Sequence, residues 1–444
     1  MTDQKQNFSS SHRALPPNLL KAIDTRPLHV VGIVMAVGLL LAMNSITRSA
    51  LSLKSGETDT WWMIALNLVH GHGYSLCLTS YFPFCSPTNQ VTAMREPVPV
   101  FLFTMAAWLG HDSLWMAAVF EALIYVAIIP AVYFLTREWA NVRTALMAAC
   151  FWTVHRPALE LVPQVSGDLL ATLLTTLGII YVLRAQKTTR TRDWLWAGVW
   201  LGLAVMSRSA ILVICMTIMA GQTLESWLQG RRGMELFRPA FILGSLVVLL
   251  MGPWMIRNQI ALGRPILGSS LTGYNLYRHN HIIVEGHYFR YVGPDEGAQA
   301  IQALIAARPL ELDGDENEAA MDLAYRSQGL RIIRSYPVQY ILLSAYRVLP
   351  LWFDWKIAEA YGQTTNRYSY MVMALQAMLL LLAMVGVQKR AGQTWPLWAS
   401  ILAISAVYMA VDARLLYVLP IMPLVISLSA AGTNRLITRA LKLS

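Results

Sequence analysis

Residues 28–46 read LHVVGIVMAVGLLLAMNSI, a stretch without Asp, Glu, Lys or Arg. A helix needs roughly 20 mostly apolar residues to cross a bilayer core, and this stretch is close to that length. Comparable stretches recur along the chain, which has 444 residues, 56% of them hydrophobic and 14% charged. A soluble domain carries about 25% charged residues. The composition therefore predicts an all-α polytopic membrane protein.

The apolar stretches predict about ten transmembrane helices. They are placed at 30–46, 114–136, 142–157, 166–185, 194–207, 209–227, 239–256, 368–387, 394–411 and 415–433. Most Lys and Arg residues fall in the short segments between them, so the positive-inside rule explains the net charge of +10 without nucleic acid. The segment 341–355, ILLSAYRVLPLWFDW, is expected to lie in the interface, because an eleventh crossing would place Lys389 and Arg390 outside.

This topology predicts two large extracytoplasmic loops that carry interfacial helices. The expected regions are an N-terminal cytoplasmic tail (1–27), a transmembrane core (28–262) with a first outer loop (47–113), an outer loop region (263–367), C-terminal transmembrane helices (368–433) and a basic cytoplasmic tail (434–444). The N-terminal tail lacks the features of a signal peptide, so the first span is expected to be retained. Cys77 and Cys85 share the first outer loop, where a local disulfide is reasonable if the loop is extracytoplasmic.

The first outer loop contains ETDTWWMIALNLVHGHGYS at residues 57–75, with the carboxylates Glu57 and Asp59 one residue apart. Asp59 is either the N-cap of a helix that starts at Thr60 or a catalytic carboxylate at the membrane surface. Charged and polar residues beside other spans are expected at the same face. They are Arg95, Glu96, His155, Arg156, Glu160, Asp168, Arg208, Arg257, Asn258 and Arg414.

Each of these residues also has a structural interpretation. An arginine beside a span often extends its charge to the interface, and Asp168 suits a helix N-cap. His70 and His72 resemble a metal pair, although their spacing on a glycine-rich loop is a weak ligand pattern. As a set, a carboxylate that acts as general base and arginines that bind phosphate suit transfer from a lipid-linked phosphate. A glycosidase would need two carboxyl groups that flank the scissile bond. Glu57 and Asp59 come from one short segment, so the pattern does not favour a glycosidase.

The segments DTWWMIALNLVHGHGYS and REPVPVFLF resemble the first outer loop of GT-C glycosyltransferases. They are similar in particular to the family-39 group, which is related to protein mannosyltransferases and to the aminoarabinose transferases of lipid A. Five further segments match in order, and the resemblance covers residues 28–433. These segments are VSGDLLATLLTTLGIIYVLRA, AGVWLGLAVMSRSAILV, GPWMIRNQIALGRPILGSSLTGYNLYRHN, ENEAAMDLAYRSQGLRIIRSYPVQYILL and ARLLYVLPIMPLV.

The resemblance implies the GT-C fold and a hexosyl- or pentosyltransferase of the bacterial inner membrane that builds cell-envelope glycans, with its site facing the periplasm. Its donor would be a sugar on polyprenyl phosphate, and its acceptor a lipid, glycan or protein, in a single inverting displacement. The general base falls on Asp59, with Glu57 as an accessory acid. The residues implied for the cavity or the donor phosphate are Arg95, Glu96, Arg208, Arg257, Asn258 and Arg414.

Five further residues are accessory candidates, namely Tyr74, His155, Asp168, Tyr274 and Asn275. Asp168 departs from the relatives, which often carry Glu at this point. Some relatives bind a divalent metal and others do not, so no cofactor is assigned and the metal is left open. Two alternatives remain. A transporter or flippase for a phosphate-bearing lipid would show internal repeats and charges at the midplane, and an O-antigen ligase or polymerase lacks this ordered set of motifs.

Overall fold

The structure is a computed structural model that describes residues 26–49, 60–85, 90–307, 312, 314, 316–387 and 391–443. Glu57 and Asp59, the predicted catalytic carboxylates, lie outside the described residues. In the described ranges the regular elements are helices, and the one β-type contact is an isolated bridge between Ser75 and Val91. The predicted all-α architecture is confirmed.

Nineteen α-helices are described, and three short 3-10 segments accompany them. The α-helices are α1 (Pro27–Arg48), α2 (Thr60–Val69), α3 (Pro97–Gly110), α4 (Leu114–Arg137), α5 (Val142–Thr153), α6 (Arg156–Leu161), α7 (Asp168–Thr188), α8 (Thr191–Val205), α9 (Leu212–Leu228), α10 (Met234–Leu262), α11 (Thr272–Arg278), α12 (Pro294–Ala306), α13 (Glu318–Ser335), α14 (Pro337–Tyr346), α15 (Val348–Phe353), α16 (Ile357–Ala360), α17 (Arg367–Val387), α18 (Ala391–Val411) and α19 (Met422–Leu443). The 3-10 segments are Ser209–Ile211, His281–Ile283 and Leu415–Ile421.

Eight helical segments in the described ranges are long and apolar enough to cross a membrane. They are α1, α4, α7, α10, α17, the 3-10 and α-helical segments Ser209–Leu228 and Leu415–Lys442, and Thr394–Val411 within α18. The other two predicted spans correspond to α5 and α8, which have 12 and 15 residues. A bilayer crossing needs roughly 20 residues, so these two helices are shorter than a full crossing.

Helices α7, α8, α9 and α10 pack side by side, and we call them the central bundle. Glycines on α7 and α8 allow the close approach. A Cβ on Gly178 would lie 2.6 Å from Leu201 Cγ, and one on Gly202 would lie 2.6 Å from Leu250 Cδ1. Because α7 and α9 run opposite to α8 and α10, the bundle has two ends. The start of α7 and the end of α8 meet at one of them.

The segment Leu415–Lys442 is the most enclosed of the membrane-crossing helices. In its most apolar window, 89% of the residues are buried inside the protein, compared with 22% for α1. Glycines again permit contact with a neighbour, because Gly432 of α19 and Gly386 of α17 each lie against the backbone of the other helix. The helix therefore occupies the interior of the fold rather than its lipid-facing surface.

The two polar segments between the spans pack on each other. Glu318, at the start of α13, accepts hydrogen bonds from Thr92 Oγ1 (2.7 Å), from Ser270 Oγ (3.1 Å) and from the backbone N–H of Ala93. The segment expected in the interface forms α14 and α15, which have 10 and 6 residues and are too short to cross. Glu318 thus fixes residues 92–93 of the first polar segment against the second.

Candidate active site

A cavity of 760 Å³ opens where α7 begins and α8 ends, and we call this the cavity end of the central bundle. Several elements that are distant in sequence contribute to its lining. The polar and aromatic lining residues are Trp61, Arg95, Glu96, Gln164, Ser166, Asp168, Arg208, Ser209, Ser269, Thr272, Asn275, Tyr408, Asp412, Arg414 and Tyr417. Three arginines and three carboxylates thus line a single cavity.

One side of the cavity, which we call the outer-loop wall, consists of Trp61, Arg95 and Glu96. Arg95 Nε donates to Thr60 Oγ1 (2.5 Å), and the guanidinium lies 4.0 Å from the centroid of the Trp61 ring. Burial lowers the pKa of Arg95. Glu96 Oε1 accepts from the backbone N–H (2.9 Å) and the hydroxyl (2.8 Å) of Ser209. Both charged side chains are therefore held by neighbours that orient them.

An ion pair between Asp168 and Arg208 lies next to this wall. Asp168 Oδ1 contacts Arg208 Nη1, and both side chains are largely buried. Arg208 Nε also donates to the Tyr408 hydroxyl (2.9 Å). The N-cap of α7 is Gly167 at φ 69°, where a Cβ would lie 2.7 Å from Pro99 Cβ. Asp168 is thus not the N-cap but a first-turn residue paired with an arginine.

The opposite side, which we call the C-terminal wall, consists of Tyr408, Asp412, Arg414 and Tyr417. The Tyr417 hydroxyl donates to Asp412 Oδ2 (2.7 Å), and His279 Nε2 lies 3.2 Å from the same oxygen. Among the described residues, Asp412 Oδ1 and Arg414 Nε have no hydrogen-bond partner. This wall therefore has one buried acceptor and one buried donor whose hydrogen-bonding capacity is not used by the described residues.

Electrostatics keep Asp412 ionised. Burial acts to raise the pKa of this carboxyl, but His279 and the Arg278 guanidinium outweigh it and hold the pKa well below its ordinary range. Burial also lowers the pKa of His279 to about 4. Asp412 is therefore a buried carboxylate that contacts the His279 ring and the Tyr417 hydroxyl.

Arg257 and Tyr74 were predicted near the substrate, but they stand behind the outer-loop wall. Arg257 Nη1 donates to the backbone carbonyl of Thr92 (2.7 Å), and its Nη2 donates to that of Tyr74 (3.1 Å). The Tyr74 hydroxyl donates to the Arg95 carbonyl (2.8 Å). Both residues hold the backbone from which Arg95 and Glu96 project.

Three other predicted residues also lie outside the lining. Asn258 is buried and donates to the Ile266 carbonyl (3.0 Å). His155 is buried, with its ring centroid 5.7 Å from that of Trp152, and Tyr274 is buried 4.8 Å from the Tyr81 ring. The predicted residues that the structure does bring together at the cavity are Arg95, Glu96, Asp168, Arg208, Asn275 and Arg414.

The sequence analysis missed Asp412. A signal was present, because an acidic residue follows an apolar span directly in AVYMAVDAR, and a charged group beside a span calls for a reason. Its partner His279 comes from a distant part of the chain, which no local pattern could indicate. The aromatic residues Tyr408 and Tyr417 were likewise unassigned.

Cys77 and Cys85 form a disulfide, with their Cα atoms 5.5 Å apart. Among the described residues, one group of three side chains has the spacing to hold a metal, namely His281, Glu285 and Glu296. It lies outside the cavity lining, and Arg290 already bonds both of its carboxylates. The suspected histidine pair is not part of this group, and His70 Nε2 instead lies 2.9 Å from Asp112 Oδ2.

Comparisons with known proteins agree with this fold. Residues 94–256 match the family model of dolichyl-phosphate-mannose-protein mannosyltransferase. The structure is similar to that of the archaeal oligosaccharyltransferase AglB from Archaeoglobus fulgidus, solved in complex with an inhibitory peptide and a dolichol-phosphate. The TM-score is 0.56 and the sequence identity is 17%, and the match covers 95% of this chain and 51% of that chain. It is also similar to the apo form of the oligosaccharyltransferase from the same organism, with a TM-score of 0.53 and 18% identity over 94% and 51%.

The chain thus spans about half the length of these two oligosaccharyltransferase structures. The comparison with curated proteins gives no match. The matched segment includes Arg95, Glu96, Asp168 and Arg208 of the cavity lining. The predicted resemblance to GT-C glycosyltransferases is confirmed, and the fold is that of this class.

Proposed function

We propose that this chain is an integral membrane glycosyltransferase that transfers a sugar from a polyprenyl-phosphate-linked donor to an acceptor outside the cytoplasm. The observation that carries the proposal is the cavity at the end of the central bundle, where arginines and carboxylates meet beside membrane-crossing helices. The matched mannosyltransferase model and a similar fold solved with dolichol-phosphate support a donor of this type.

Arg95 and Arg414 are the proposed ligands of the donor phosphate. In the described part of the chain neither has a carboxylate within salt-bridge distance, whereas the charge of Arg208 is balanced by Asp168. A guanidinium donates paired hydrogen bonds that match phosphate oxygens. These two arginines would therefore hold the phosphate and stabilise its charge as it leaves, while Asp168 positions Arg208.

Asp59 is the proposed general base. It is bonded in sequence to Thr60, whose hydroxyl accepts from Arg95, and the following residue, Trp61, lines the cavity. In the proposed step the acceptor oxygen attacks the anomeric carbon, its proton passes to Asp59, and the bond from that carbon to the phosphate oxygen breaks. One displacement inverts the anomeric configuration and releases polyprenyl phosphate. Glu57 is the proposed accessory acid.

The sugar would contact the C-terminal wall. Asp412 lines the cavity, and its buried Oδ1 has no hydrogen-bond partner among the described residues. A sugar hydroxyl that donates to this carboxylate would satisfy that oxygen without displacing a protein contact. Asn275 lines the same cavity and offers a further amide. These contacts fit a sugar without selecting one.

The cavity is proposed to face the periplasm from a bacterial inner membrane. The disulfide between Cys77 and Cys85 supports this side, because disulfides form in oxidising compartments. The acceptor is proposed to be a lipid, glycan or protein bound beside residues 263–367. Surface loops are where such specificity usually varies.

The test is release of polyprenyl phosphate by the purified protein from a panel of polyprenyl-phosphate sugars. Asp59→Asn is expected to lower turnover by about 10²- to 10⁴-fold, as loss of a general base does. Asp112→Asn is the matched control, since this exposed acid of the same loop pairs with His70 rather than lining the cavity. Near-normal turnover by Asp59→Asn would show that another group is the base.

The same preparation separates the proposed function from its alternative. Release of polyprenyl phosphate identifies a transferase and its donor sugar. Movement of labelled lipid across liposomes without any release would support a flippase instead.

A further inference from the structure

A second cavity, of 320 Å³, lies at the opposite end of the central bundle, where α7 ends and α8 begins. Helix α7 has 21 residues, and at 1.5 Å per residue it separates the two cavities by about 30 Å, the thickness of a bilayer core. The polar lining of this second cavity includes Gln186, Glu225, Gln229, Arg231, Glu235 and Arg238. We call this the distal pocket.

Glu225 of α9 is a carboxyl group bonded only by neutral donors. Its Oε2 accepts from Trp395 Nε1 (3.1 Å) and Gln186 Nε2 (3.3 Å), and its Oε1 accepts from Gln229 Nε2 (3.4 Å). Among the described residues no Lys, Arg or His lies within salt-bridge distance of it. A carboxylate close to the end of an apolar helix calls for a compensating cation.

Arg231 is a cation without a carboxylate partner. It lines the same pocket, and no carboxylate in the described ranges lies within salt-bridge distance of it. Arg238 also lines the pocket and donates to Thr191 Oγ1 (2.6 Å), a neutral acceptor. By contrast, Arg184 and Lys187 at this end of the bundle already pair with Glu138, at 2.5 and 3.5 Å. The pocket therefore contains separated charges of both signs that do not neutralise each other.

Exposed apolar side chains lie on the same helices as residues that line the distal pocket. Leu224 and Leu228 flank Glu225 on α9 and are 55% and 72% exposed, and Met234 at the start of α10 is 78% exposed. Such residues suit contact with acyl chains at the membrane level. A polar recess on helices that also expose large apolar side chains favours a membrane lipid over a soluble ligand.

We propose that the distal pocket binds the headgroup of a phospholipid that carries both a phosphate and a primary ammonium, as an ethanolamine headgroup does. Arg231 and Arg238 would bind the phosphate, since basic pockets between transmembrane helices bind lipid headgroups. Glu225 would accept N–H hydrogen bonds from the ammonium. The two carboxylates of the lining disfavour a purely anionic headgroup, and a choline headgroup has no N–H to donate.

Native mass spectrometry of the delipidated protein in detergent tests this inference, and it requires no transferase activity. The probes are phosphatidylethanolamine, phosphatidylcholine and phosphatidylglycerol of identical acyl chains, with soluble phosphorylethanolamine as competitor. Retention of one phosphatidylethanolamine per protein is expected to exceed that of the other two lipids by about tenfold, the equivalent of one good charged contact. Arg231→Gln and Glu225→Gln should each remove this preference.

Arg232→Gln is the matched control, because this neighbouring arginine is exposed and does not line the pocket. Glu225→Gln retains an oxygen that can accept from Trp395, and thermal unfolding of each variant shows whether the fold is intact. Equal retention of the three lipids would overturn the proposal. So would an equal loss in Arg232→Gln, or displacement of the lipid by phosphorylethanolamine at comparable concentration.

Discussion

The two walls of the cavity use their charged side chains in different ways. In the outer-loop wall, Arg95 bonds Thr60, and Glu96 bonds both the backbone and the hydroxyl of Ser209. In the C-terminal wall, Asp412 Oδ1 and Arg414 Nε have no hydrogen-bond partner among the described residues. A charge bonded to a neighbour is held in one geometry, whereas a buried polar atom without a partner is costly unless a ligand engages it. The outer-loop wall thus holds its charged groups in place, and the C-terminal wall has buried polar atoms that the described residues leave without a partner.

The largest expected effect is the loss of stability when the ion pair between Asp168 and Arg208 is broken. Arg208→Gln leaves Asp168 buried without its cation, and removal of one partner of a buried pair costs about 3–5 kcal/mol in free energy of unfolding. Thermal unfolding in detergent measures the loss. Adding Asp168→Asn should restore most of the stability, since the stranded charge is then gone. A single variant as stable as the parent would mean that the pair does not hold the fold.

Arg414→Gln should show the opposite pattern. No carboxylate in the described ranges lies within salt-bridge distance of Arg414, so its loss should alter the unfolding midpoint little. If it stabilises the leaving phosphate, kcat/KM for the polyprenyl-phosphate donor should fall about 100-fold, equivalent to about 2.7 kcal/mol. Unaltered kinetics together with reduced stability would assign Arg414 to the structure instead.

Asp412→Asn should have a smaller effect on the same wall. The amide oxygen can still accept from Tyr417, but the charge that faces the sugar is lost. We expect a decrease of about tenfold in kcat/KM, equivalent to about 1.4 kcal/mol. Glu96→Gln, from the bonded wall, is the comparison variant. An equal kinetic effect of both substitutions would abolish the distinction between the walls.

The last prediction concerns the pH dependence of stability, through Asp322 of α13. It accepts from the backbone N–H groups of Gly273 (2.6 Å) and Tyr274 (3.1 Å), and burial raises its pKa to about 7. In the unfolded chain an Asp has a pKa of about 3.9, so the folded protein binds more protons between pH 4 and 7. Stability should therefore fall as pH rises through this window, by at most about 1.4 kcal/mol per pH unit.

Asp322→Asn keeps the accepting oxygen and removes the titration. Unfolding midpoints measured from pH 4 to pH 8 should fall less steeply for this variant than for the parent. Parallel curves for the two proteins would show that Asp322 is not the group responsible.

Hydropathy and loop charge predicted the helical membrane architecture because the cost of exposing charge to lipid restricts where polar residues occur. The same argument, that a charged residue beside a span requires a reason, selected Arg95, Asp168 and Arg208 from the sequence, and all three line the cavity. Hydropathy does not show where a helix is interrupted, however. The predicted span 142–157 includes the end of α5 at Thr153 and the start of α6 at Arg156.

The sequence also does not show in which direction a side chain points. Arg257 lies near the end of a span, as the true cavity arginines do, yet it binds the backbone of Thr92 and Tyr74. No sequence pattern separates the two outcomes, because they depend on how a distant loop packs. Asp412 was missed for a related reason, since its importance derives from contact with His279.

The enclosed position of the segment Leu415–Lys442 has a consequence for biosynthesis. A membrane chain is inserted from its N-terminus as it is translated, so this helix emerges after all the neighbours that surround it. The helices that are inserted earlier must therefore leave a gap between them for this helix, or separate again when it is inserted. Since Asp412, Arg414 and Tyr417 are made with it, the newly made protein completes its C-terminal wall only at this late step of assembly. A translation product that stalls before this segment would have the outer-loop wall without these three residues.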